Sequence, residues 1–371
     1  MNAEQRLGGT LFLKATIFMI LMGVALVPAA QAGQQMIATS LMPDVSAYIQ
    51  VRGTYGNIGP AATTFTDDGF TIRRAKVILT GKAGDHLTYR FQFIGRSDLP
   101  SPQLQDAYVL YDRFTFAQFV AGQMVPPFGR ERLTPDWQIY SIERSLISNN
   151  LVPSSQTLAR DIGVEAKGDV LNKFFEYAVG LYNGTGANNI SSHNSNSNFL
   201  SVARIVGNPL KEDIQNDVPG ISIGASVSYR KANGLTNMST LLNSSLPFTG
   251  TDFRYNIDGA ITYHSFSFIG EYVRAILTSN EVKIKSVTSD GYYLQAAYFV
   301  THYLQPMIEY QTFNPDTYIK STKNQKWLTA GLNYYIVGDK FKLMADYTFE
   351  RFGKLEANNT DMVRVQLQVM F

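Results

Sequence analysis

The 371-residue sequence contains no cysteine and has few charged side chains. Without cysteine, the chain can have neither a disulfide scaffold nor a thiolate metal site. Charged residues account for 17% of the chain, below the roughly 25% of ordinary soluble domains, and the formal net charge is only +2. Nucleic-acid-binding proteins carry a clustered basic face. We therefore expect no nucleic-acid partner, and the sequence suggests no cofactor or bound metal.

The chain that follows the N-terminal segment also lacks long apolar runs. None of its stretches reaches the length of about 18 apolar residues that indicates a transmembrane helix. Aromatic residues are abundant instead, with 21 Tyr, 23 Phe and 2 Trp. This apolar and aromatic content is not typical of a disordered chain. If the chain enters a membrane, it must do so as β-strands.

The N-terminal segment has the features of a secretory signal. Basic residues precede an apolar run over residues 15–27, and small residues in an A-x-A arrangement end at Ala32. An anchor helix is the alternative, but spanning a bilayer takes about 20 apolar residues, and this run is shorter. The pattern predicts a signal peptide over residues 1–32, cleaved before Gly33. The mature chain, residues 33–371, is therefore expected to be exported.

Beyond this segment, apolar and polar residues alternate with the period of two that is typical of β-strands. In residues 362–371, Val and Leu occupy one face, whereas Arg364, Gln366 and Gln368 occupy the other. The sixteen candidate strands cover residues 45–53, 70–81, 87–96, 104–112, 116–124, 160–168, 174–183, 199–206, 221–230, 253–263, 266–276, 291–300, 303–312, 326–335, 341–349 and 362–371.

The number and spacing of these strands favour an all-β fold, a single transmembrane antiparallel β-barrel of about 16 strands. An even strand number lets such a barrel close without an exposed edge. Turn-like connections alternate with longer polar ones such as residues 54–69, 184–198 and 231–250, as expected for periplasmic turns and outer loops. A soluble β-sandwich would also alternate. Aromatic residues near strand ends, charged opposite faces and the terminal Phe371 favour the barrel.

Several segments resemble a known family when they are taken in order. They are FTIRRAKVILTG (70–81), LQDAYV (104–109), GQMVPPFGRE (122–131), IERS (142–145) and RDIGV (160–164). Together they resemble the phosphate-selective porin O and P family. The resemblance implies a 16-stranded channel in the bacterial cell outer membrane, usually a homotrimer, surrounded by outer-membrane lipids and passing small ions or solutes. It also implies that a loop after the fifth strand folds into the lumen.

Strand parity turns a group of basic residues toward the barrel interior. This basic wall consists of Arg52, Arg74, Lys76, Arg90 and Arg96. Charge at the narrowest point of a pore sets ion selectivity, so a selectivity role is one interpretation. Ordinary lumen polarity is the other, because arginine on the lipid face costs about 2–4 kcal/mol at mid-bilayer. Opposing acids at Asp106, Asp112 and Glu165 make the lumen mixed in sign, which does not favour phosphate as the substrate.

Residues 125–159 are the candidate constriction loop. Pro126 and Pro127 end the fifth strand, because proline lacks the ladder donor, and Phe128 and Gly129 allow a sharp inward turn. The charged residues of the loop are Arg130, Glu131, Arg132, Asp136, Glu143 and Arg144. An exposed loop with solvated ion pairs, each contributing about 0–1 kcal/mol, is the alternative. A structureless loop of this length is uncommon unless it is functional, which favours the constriction.

We therefore expect an outer-membrane porin that passes small hydrophilic solutes or ions by passive diffusion, with anion preference left open. A barrel enzyme, such as a lipase or protease, is one alternative. Its best motif, G-x-S-x-G at residues 220–224, starts an alternating strand and lacks the following helix of a nucleophile elbow. We therefore expect no enzyme activity. An adhesin is the other alternative, through the Asn- and Ser-rich outer loops.

Overall fold

The computed structural model describes residues 42–57, 68–155, 158–189, 199–215, 218–235, 248–281, 283–318, 324–353 and 359–371. The predicted signal peptide over residues 1–32 lies outside the described residues, as do residues 190–198 and 236–247 of the two Asn- and Ser-rich loops. Within the described ranges, no helix is long and apolar enough to cross a membrane.

Sixteen antiparallel strands form one closed barrel in the described part of the chain. They are β1 (Asp44–Asn57), β2 (Gly69–Lys82), β3 (Leu87–Gly95), β4 (Gln103–Phe114), β5 (Ala117–Met124), β6 (Asp161–Val170), β7 (Phe175–Tyr182), β8 (Leu200–Leu210), β9 (Gly220–Leu235), β10 (Phe248–Tyr263), β11 (Phe266–Ser279), β12 (Val287–Tyr298), β13 (Leu304–Asn314), β14 (Gln325–Val337), β15 (Phe341–Phe352) and β16 (Thr360–Met370). Each strand pairs with its neighbours along the chain, and β16 pairs with β1. The predicted all-β barrel is confirmed, although β9 and β10 extend further into the predicted 231–250 loop.

Strand β15 shows why the chain forms a membrane barrel. Its odd-numbered residues from Phe341 to Phe349 are apolar and face outward, and Leu343 is 42% exposed. Its even-numbered residues face the interior, where Lys342 is 0% exposed. A soluble sandwich buries its apolar faces, whereas here the apolar face is the exposed one. Lipid around the barrel makes this arrangement favourable, so the sandwich alternative is excluded.

Short and long connections alternate around the barrel. Turns of two to five residues join β2 to β3, β4 to β5, β6 to β7, β10 to β11, β12 to β13 and β14 to β15, and the end of the barrel where they lie is named the turn rim. The connection between β8 and β9, nine residues long, also lies at the turn rim. The opposite end, the loop rim, carries connections of seven residues or more. In outer-membrane barrels the short turns face the periplasm and the long loops face the exterior.

The interior of the barrel contains an apolar cluster as well as charged groups. Phe248, Leu277 and Phe313 of the wall belong to this buried cluster, together with Phe128 and Ile147 from the segment between β5 and β6. The polar lumen expected from the sequence is therefore incomplete. Part of the lumen is a packed core, because burying apolar side chains between wall and segment is favourable.

Ile257 lies in the middle of β10 and is 57% exposed. The substitution Ile257→Arg is expected to destabilise the barrel by about 2–4 kcal/mol, which is the cost of a charge at mid-bilayer. Val337→Arg is the matched control, because Val337 is 58% exposed but lies at the turn-rim end of β14. There the cost is expected to be about 0–1 kcal/mol. Reversible unfolding in lipid vesicles measures both, and equal losses would contradict a membrane-central position for Ile257.

Candidate functional site in the barrel lumen

The segment between β5 and β6, described over residues 125–155 and 158–160, folds into the barrel and crosses its lumen; we name it the constriction loop. It contains two short helices, α1 (Arg130–Leu133) and α2 (Leu146–Asn150). The two prolines that follow β5 are buried, and Phe128 joins the apolar cluster. Contacts to strands on several sides of the lumen then hold the loop in place.

Gly129 makes the turn that directs the loop across the lumen. Its φ angle is 78°, in the left-handed region that favours glycine, and its amide donates to Ser226 Oγ at 3.2 Å. A Cβ atom here would lie 2.4 Å from Glu271 Oε1. The other oxygen of Glu271 accepts from the Glu131 amide at 3.0 Å, which restrains the carboxylate. The turn therefore requires glycine for both its backbone angle and its close approach to the wall.

Glu143 of the loop is held by arginines on β1 and β2. Arg73 donates through Nε to Oε1 and through Nη2 to Oε2, each at 2.7 Å, and Arg52 Nη1 donates to Oε1. Bidentate pairing fixes the orientation of a carboxylate as well as its distance. Arg52 thus faces the interior, as its parity predicts, but its charge is bound to the loop.

Asp136 connects the loop to the other cations of β2. Lys76 Nζ donates to Oδ2, and Arg74 Nε lies 3.6 Å from the same oxygen. Arg144, within the loop, donates to Oδ1 from Nε at 3.1 Å and from Nη2 at 2.7 Å. One carboxylate is thus shared by three cations. Arg74 and Lys76 therefore attach the loop to the wall.

These cations keep both loop carboxylates ionised. Burial by itself would raise the pKa of Glu143, but the nearby arginines, Arg73 foremost, hold it well below its usual range. Burial acts in the same direction on Asp136, where Lys76 and Arg74 are the strongest of the charges that lower the pKa. Because both pKa values are depressed, the attachment is fully formed at neutral pH and is lost only in strong acid.

Arg73 is a functional residue that strict alternation misses. It directly precedes Arg74, and adjacent residues of a regular strand face opposite sides. The β1–β2 register shifts here, because Gln50 lies opposite Arg74 while Val51 lies opposite Ile72. This β-bulge lets both guanidinium groups reach the interior. The signal in the sequence is the Arg-Arg pair itself, since regular pleating would leave one charge in lipid.

Arg144 and Glu131 tie the two halves of the loop together. Arg144 donates to the Glu131 carbonyl and, through Nη2, to the Thr134 carbonyl at 2.6 Å. The Glu131 carboxylate accepts from the Ser145 amide at 3.0 Å and from the Ser145 hydroxyl at 2.6 Å. Both charged side chains are buried. Their role is to satisfy loop backbone groups that have left the sheet.

Strands β10 and β15 hold the loop through its main chain. Lys342 Nζ donates to the Trp137 carbonyl at 2.8 Å, and Arg254 Nη1 donates to the Leu151 carbonyl at 2.9 Å. These bonds come from β15 and β10. Only β16 separates β15 from β1, whereas β10 lies across the barrel, so these attachments fix the path of the loop across the lumen.

Arg130 connects the loop to β9 and β10. Its Nε donates to Asp258 Oδ1 at 2.9 Å, and its Nη2 donates to Ser222 Oγ at 2.8 Å. Asp258 also accepts from Arg204, at 2.6 Å and 3.0 Å. Ser222 is the serine of the G-x-S-x-G motif, and its hydroxyl is a hydrogen-bond partner of the loop.

A cavity of about 630 Å³ remains between the constriction loop and the walls that include β2 to β8; we name it the passage. Its basic lining residues are Lys76, Arg90, Arg132, Arg144, Arg160, Lys167, Lys173 and Arg204. Its acidic lining residues are Asp106, Asp136, Glu165, Asp169 and Glu176. Eight basic groups face five acidic groups, so the passage is positive although the chain is nearly neutral.

Some cations of the passage are only partly neutralised. Asp106 is shared, because Arg160 Nε donates to Oδ1 at 2.9 Å while Arg90 Nε lies 3.8 Å from Oδ2. Arg132 donates to a main-chain carbonyl, and no carboxylate of the described residues lies within ion-pair distance of it. Burial and the charge of Arg144 lower the pKa of Arg132. The positive charge near Arg132, which disfavours the charged form of its guanidinium group, also attracts anions to this part of the passage.

Three predicted lumen residues lie away from the contacts between wall and loop. Arg96 follows β3 at the loop rim and pairs with Asp98. Asp112 lies near the turn-rim end of β4, 4.0 Å from His86 Nδ1. Glu165 lines the passage and accepts from a buried tyrosine hydroxyl at 2.7 Å. Asp112 and Arg96 therefore each lie near one rim of the barrel, and Arg96 is at the outer mouth, toward which the basic wall is predicted to extend.

Alanine at Gly129 is expected to loosen the constriction loop, because its Cβ would displace Glu271 from the Glu131 amide. Hydrogen exchange of loop amides should accelerate by about tenfold, while the strands keep their protection. Gly338→Ala is the control, since Gly338 also has a positive φ, 52°, but open space at its Cβ position. Unchanged loop exchange in the Gly129→Ala protein would refute this role.

The same fold occurs in solved structures of low sequence identity. An anion-selective porin from Comamonas acidovorans has a TM-score of 0.64 and 11% identity, over 89% of this chain and 99% of that chain. OmpF of Salmonella typhi, in complex with daunomycin, has a TM-score of 0.61 and 13% identity, over 89% and 97%. The outer membrane channel DcaP of Acinetobacter baumannii has a TM-score of 0.58 and 12% identity, over 89% and 97%. These similarities establish the fold alone.

The sequence itself matches one family. No curated protein matches it, but the profile of the family described as phosphate-selective porin O and P matches residues 45–371, nearly the whole barrel. The closed barrel with its charged passage agrees with this match. The chain therefore belongs to the phosphate-selective porin O and P family and is a bacterial outer-membrane porin, a channel through which small hydrophilic solutes or ions diffuse passively.

Proposed function

We propose that this porin prefers small anions and selects them in the passage. The observation that supports this is the excess of eight basic over five acidic side chains along its lining. Fixed charge at the narrow part of a pore controls which ions enter. Low-dielectric walls around the passage concentrate that field.

The charge balance of the whole lumen is a poor guide to this preference. Glu143 is bound to Arg52 of β1 and Arg73 of β2, and all three lie outside the lining of the passage. Asp252 and Asp258 of β10 are each paired with two arginines. These groups hold structure together, and an ion in transit meets the lining of the passage instead. A nearly neutral chain is therefore compatible with a locally positive channel.

The solutes we propose are small phosphate- or carboxylate-bearing anions. The family description names phosphate, and the Comamonas acidovorans structure is described as anion-selective. Arg90, Arg132 and Arg160 line the passage, and guanidinium groups match the geometry of phosphate and carboxylate oxygens. Arg90 lies 3.8 Å from Asp106, and no carboxylate of the described residues lies within ion-pair distance of Arg132, so both are available to transient ligands.

We propose a channel without enzyme activity. The hydroxyl of Ser222, which belongs to the G-x-S-x-G motif, accepts from Arg130 within β9, and this supports a structural role for it. The adhesin alternative depends mainly on the two Asn- and Ser-rich outer loops, of which residues 190–198 and 236–247 lie outside the described residues.

We also propose that residues 1–32 are removed on export and that the mature chain assembles as a homotrimer. The A-x-A pattern before Gly33 supports the cleavage. Resemblance to a family of usually trimeric porins supports the assembly, and the fold is shared with Vibrio cholerae OmpT, which is described in a trimer form.

In planar bilayers the purified protein is expected to produce discrete conductance steps with chloride more permeant than potassium. Arg90→Gln with Arg132→Gln should lower the anion-to-cation permeability ratio by a factor of about two or more. Arg160 remains to pair with Asp106 in this variant. The reversal potential in a salt gradient measures the ratio, and phosphate competition tests the anion class.

The control for this experiment is Lys82→Gln with Arg113→Gln. It removes the same number of charges from the turn-rim ends of β2 and β4, outside the passage lining. A ratio that falls equally in both variants would mean that overall charge, rather than the passage, sets the preference. Silent bilayers with turnover of a lipid or peptide would favour the enzyme instead.

Native mass spectrometry of the protein extracted from outer membranes tests the mature form. The subunit mass is expected to match residues 33–371, because cleavage follows Ala32, and the complex mass is expected to be three subunits. A subunit mass that includes residues 1–32 would contradict the signal peptide. A monomer that persists in mild detergents would contradict the trimer.

A further inference from the structure

Four cations stand on the outer, lipid-facing side of the barrel near the loop rim. They are Lys231 of β9, Arg274 of β11, Lys326 of β14 and Arg351 of β15, and we name them the basic arc. Alternation places them on the same outer faces as the exposed Tyr229, Leu328 and Phe349 and the half-buried Ile276. Cations on this face are unusual, because the lipid interior excludes charge.

Two members of the arc directly face one another across a strand pair. Lys326 lies opposite Arg351 in the β14–β15 register, and like charges in directly opposite positions repel. Arg351 pairs with Asp361 at 2.9 Å and lies over the Phe349 ring at 5.4 Å. No carboxylate of the described residues lies within ion-pair distance of Lys326. An external anion between the two cations would relieve their repulsion.

The acidic groups near the arc are already engaged. Asp361 is bound to Arg351, and Asp290 accepts from Asn314 Nδ2 at 2.8 Å and from the Tyr272 hydroxyl at 3.4 Å. Arg274 lies opposite Asp290 in the β11–β12 register, but the guanidinium group of Arg274 and the carboxylate of Asp290 are not within ion-pair distance. The arc therefore keeps a positive excess of four cations over two carboxylates.

The arc lies at the height of lipid head groups. Its members occur close to the loop-rim ends of their strands, next to Tyr229, Tyr272 and Phe349. Interfacial aromatic residues of this kind mark the boundary between hydrocarbon and polar head groups. Cations at this level attract the anionic groups of lipids.

The arc occupies one side of the barrel only. In strands β1 to β8, all of which are described, the outward residues nearest the loop rim are uncharged, as at Tyr55, Phe70, Phe93, Ile162 and Leu181. A general need for polar contacts at the rim would place cations all round. This one-sided pattern indicates that β9 to β15 face lipid head groups, whereas β1 to β8 do not.

We propose that the basic arc binds the phosphate groups of phosphorylated glycolipids in the outer leaflet, so that β9 to β15 face lipid in the assembled porin. The proposed ligand is a bisphosphorylated glycolipid. The ammonium and guanidinium groups of the arc bind its phosphates, and its acyl chains lie along the apolar wall. This site lies outside the barrel and is independent of the passage.

Binding of bisphosphorylated lipid A to the detergent-solubilised porin tests the site by native mass spectrometry. Lys231→Gln, Arg274→Gln, Lys326→Gln and Arg351→Gln together are expected to weaken binding by about tenfold or more. The matched control removes four cations at the turn rim by the substitutions Lys82→Gln, Arg113→Gln, Lys211→Gln and Lys340→Gln. It should bind the lipid as the wild type does. Channel conductance should be unchanged in the arc variant, which separates this test from that of anion preference.

Two measurements on the wild-type protein keep the test valid if the arc variant folds poorly. Removing both phosphates from the glycolipid should abolish the preference, and raising NaCl from about 50 mM to about 500 mM should weaken binding by screening the charges. Equal binding of the dephosphorylated lipid, or equal weakening in the turn-rim control, would overturn the proposal.

Discussion

The ion pairs between the first two strands and the constriction loop determine how the rest of the lumen is organised. Arg52, Arg73, Arg74 and Lys76 stand on a wall whose outer face is apolar, and two loop carboxylates satisfy them. Enclosed charges without partners are costly, so the wall and the loop depend on each other. The many weak solvated pairs expected of an exposed loop are replaced by a small set of enclosed ones.

Attachment of the loop also decides where solutes can pass. The loop is bound to β1, β2 and the nearby β15, and to β10 across the barrel, while an apolar cluster fills part of the remaining lumen. The passage stays open along the walls that include β2 to β8, and a second cavity of about 410 Å³ lies between the loop and walls that include β11, β12 and β14. Attachment charges outside this lining, such as Arg52, Arg73 and Glu143, do not meet ions in transit, and selectivity becomes a property of one lining rather than of net charge.

The barrel was largely predictable from sequence because each strand obeys one local rule, apolar toward lipid and polar toward the lumen. Strand number, the inward parity of Arg74 and Lys76, and the turn at Gly129 follow from that rule and from proline and glycine chemistry. Arg73 could not be placed by parity, because a bulge depends on the partner strand's register. The pairing of Glu143 with β1 and β2, and the shared carboxylate of Asp106, depend on distances that only the closed barrel creates.

Charged residues that depart from this alternation of apolar and polar residues need a physical explanation. A charge that parity assigns to the lipid face must be turned inward, paired, or brought to a level where water and head groups solvate it. Arg73 takes the first course through the bulge. Arg351 combines the second and third, whereas Lys326 opposite it has only the third. Because solvation at the rim alone would not confine such residues to β9–β15, a ligand on that side accounts best for their distribution, and lipid phosphate is the anion available at that height.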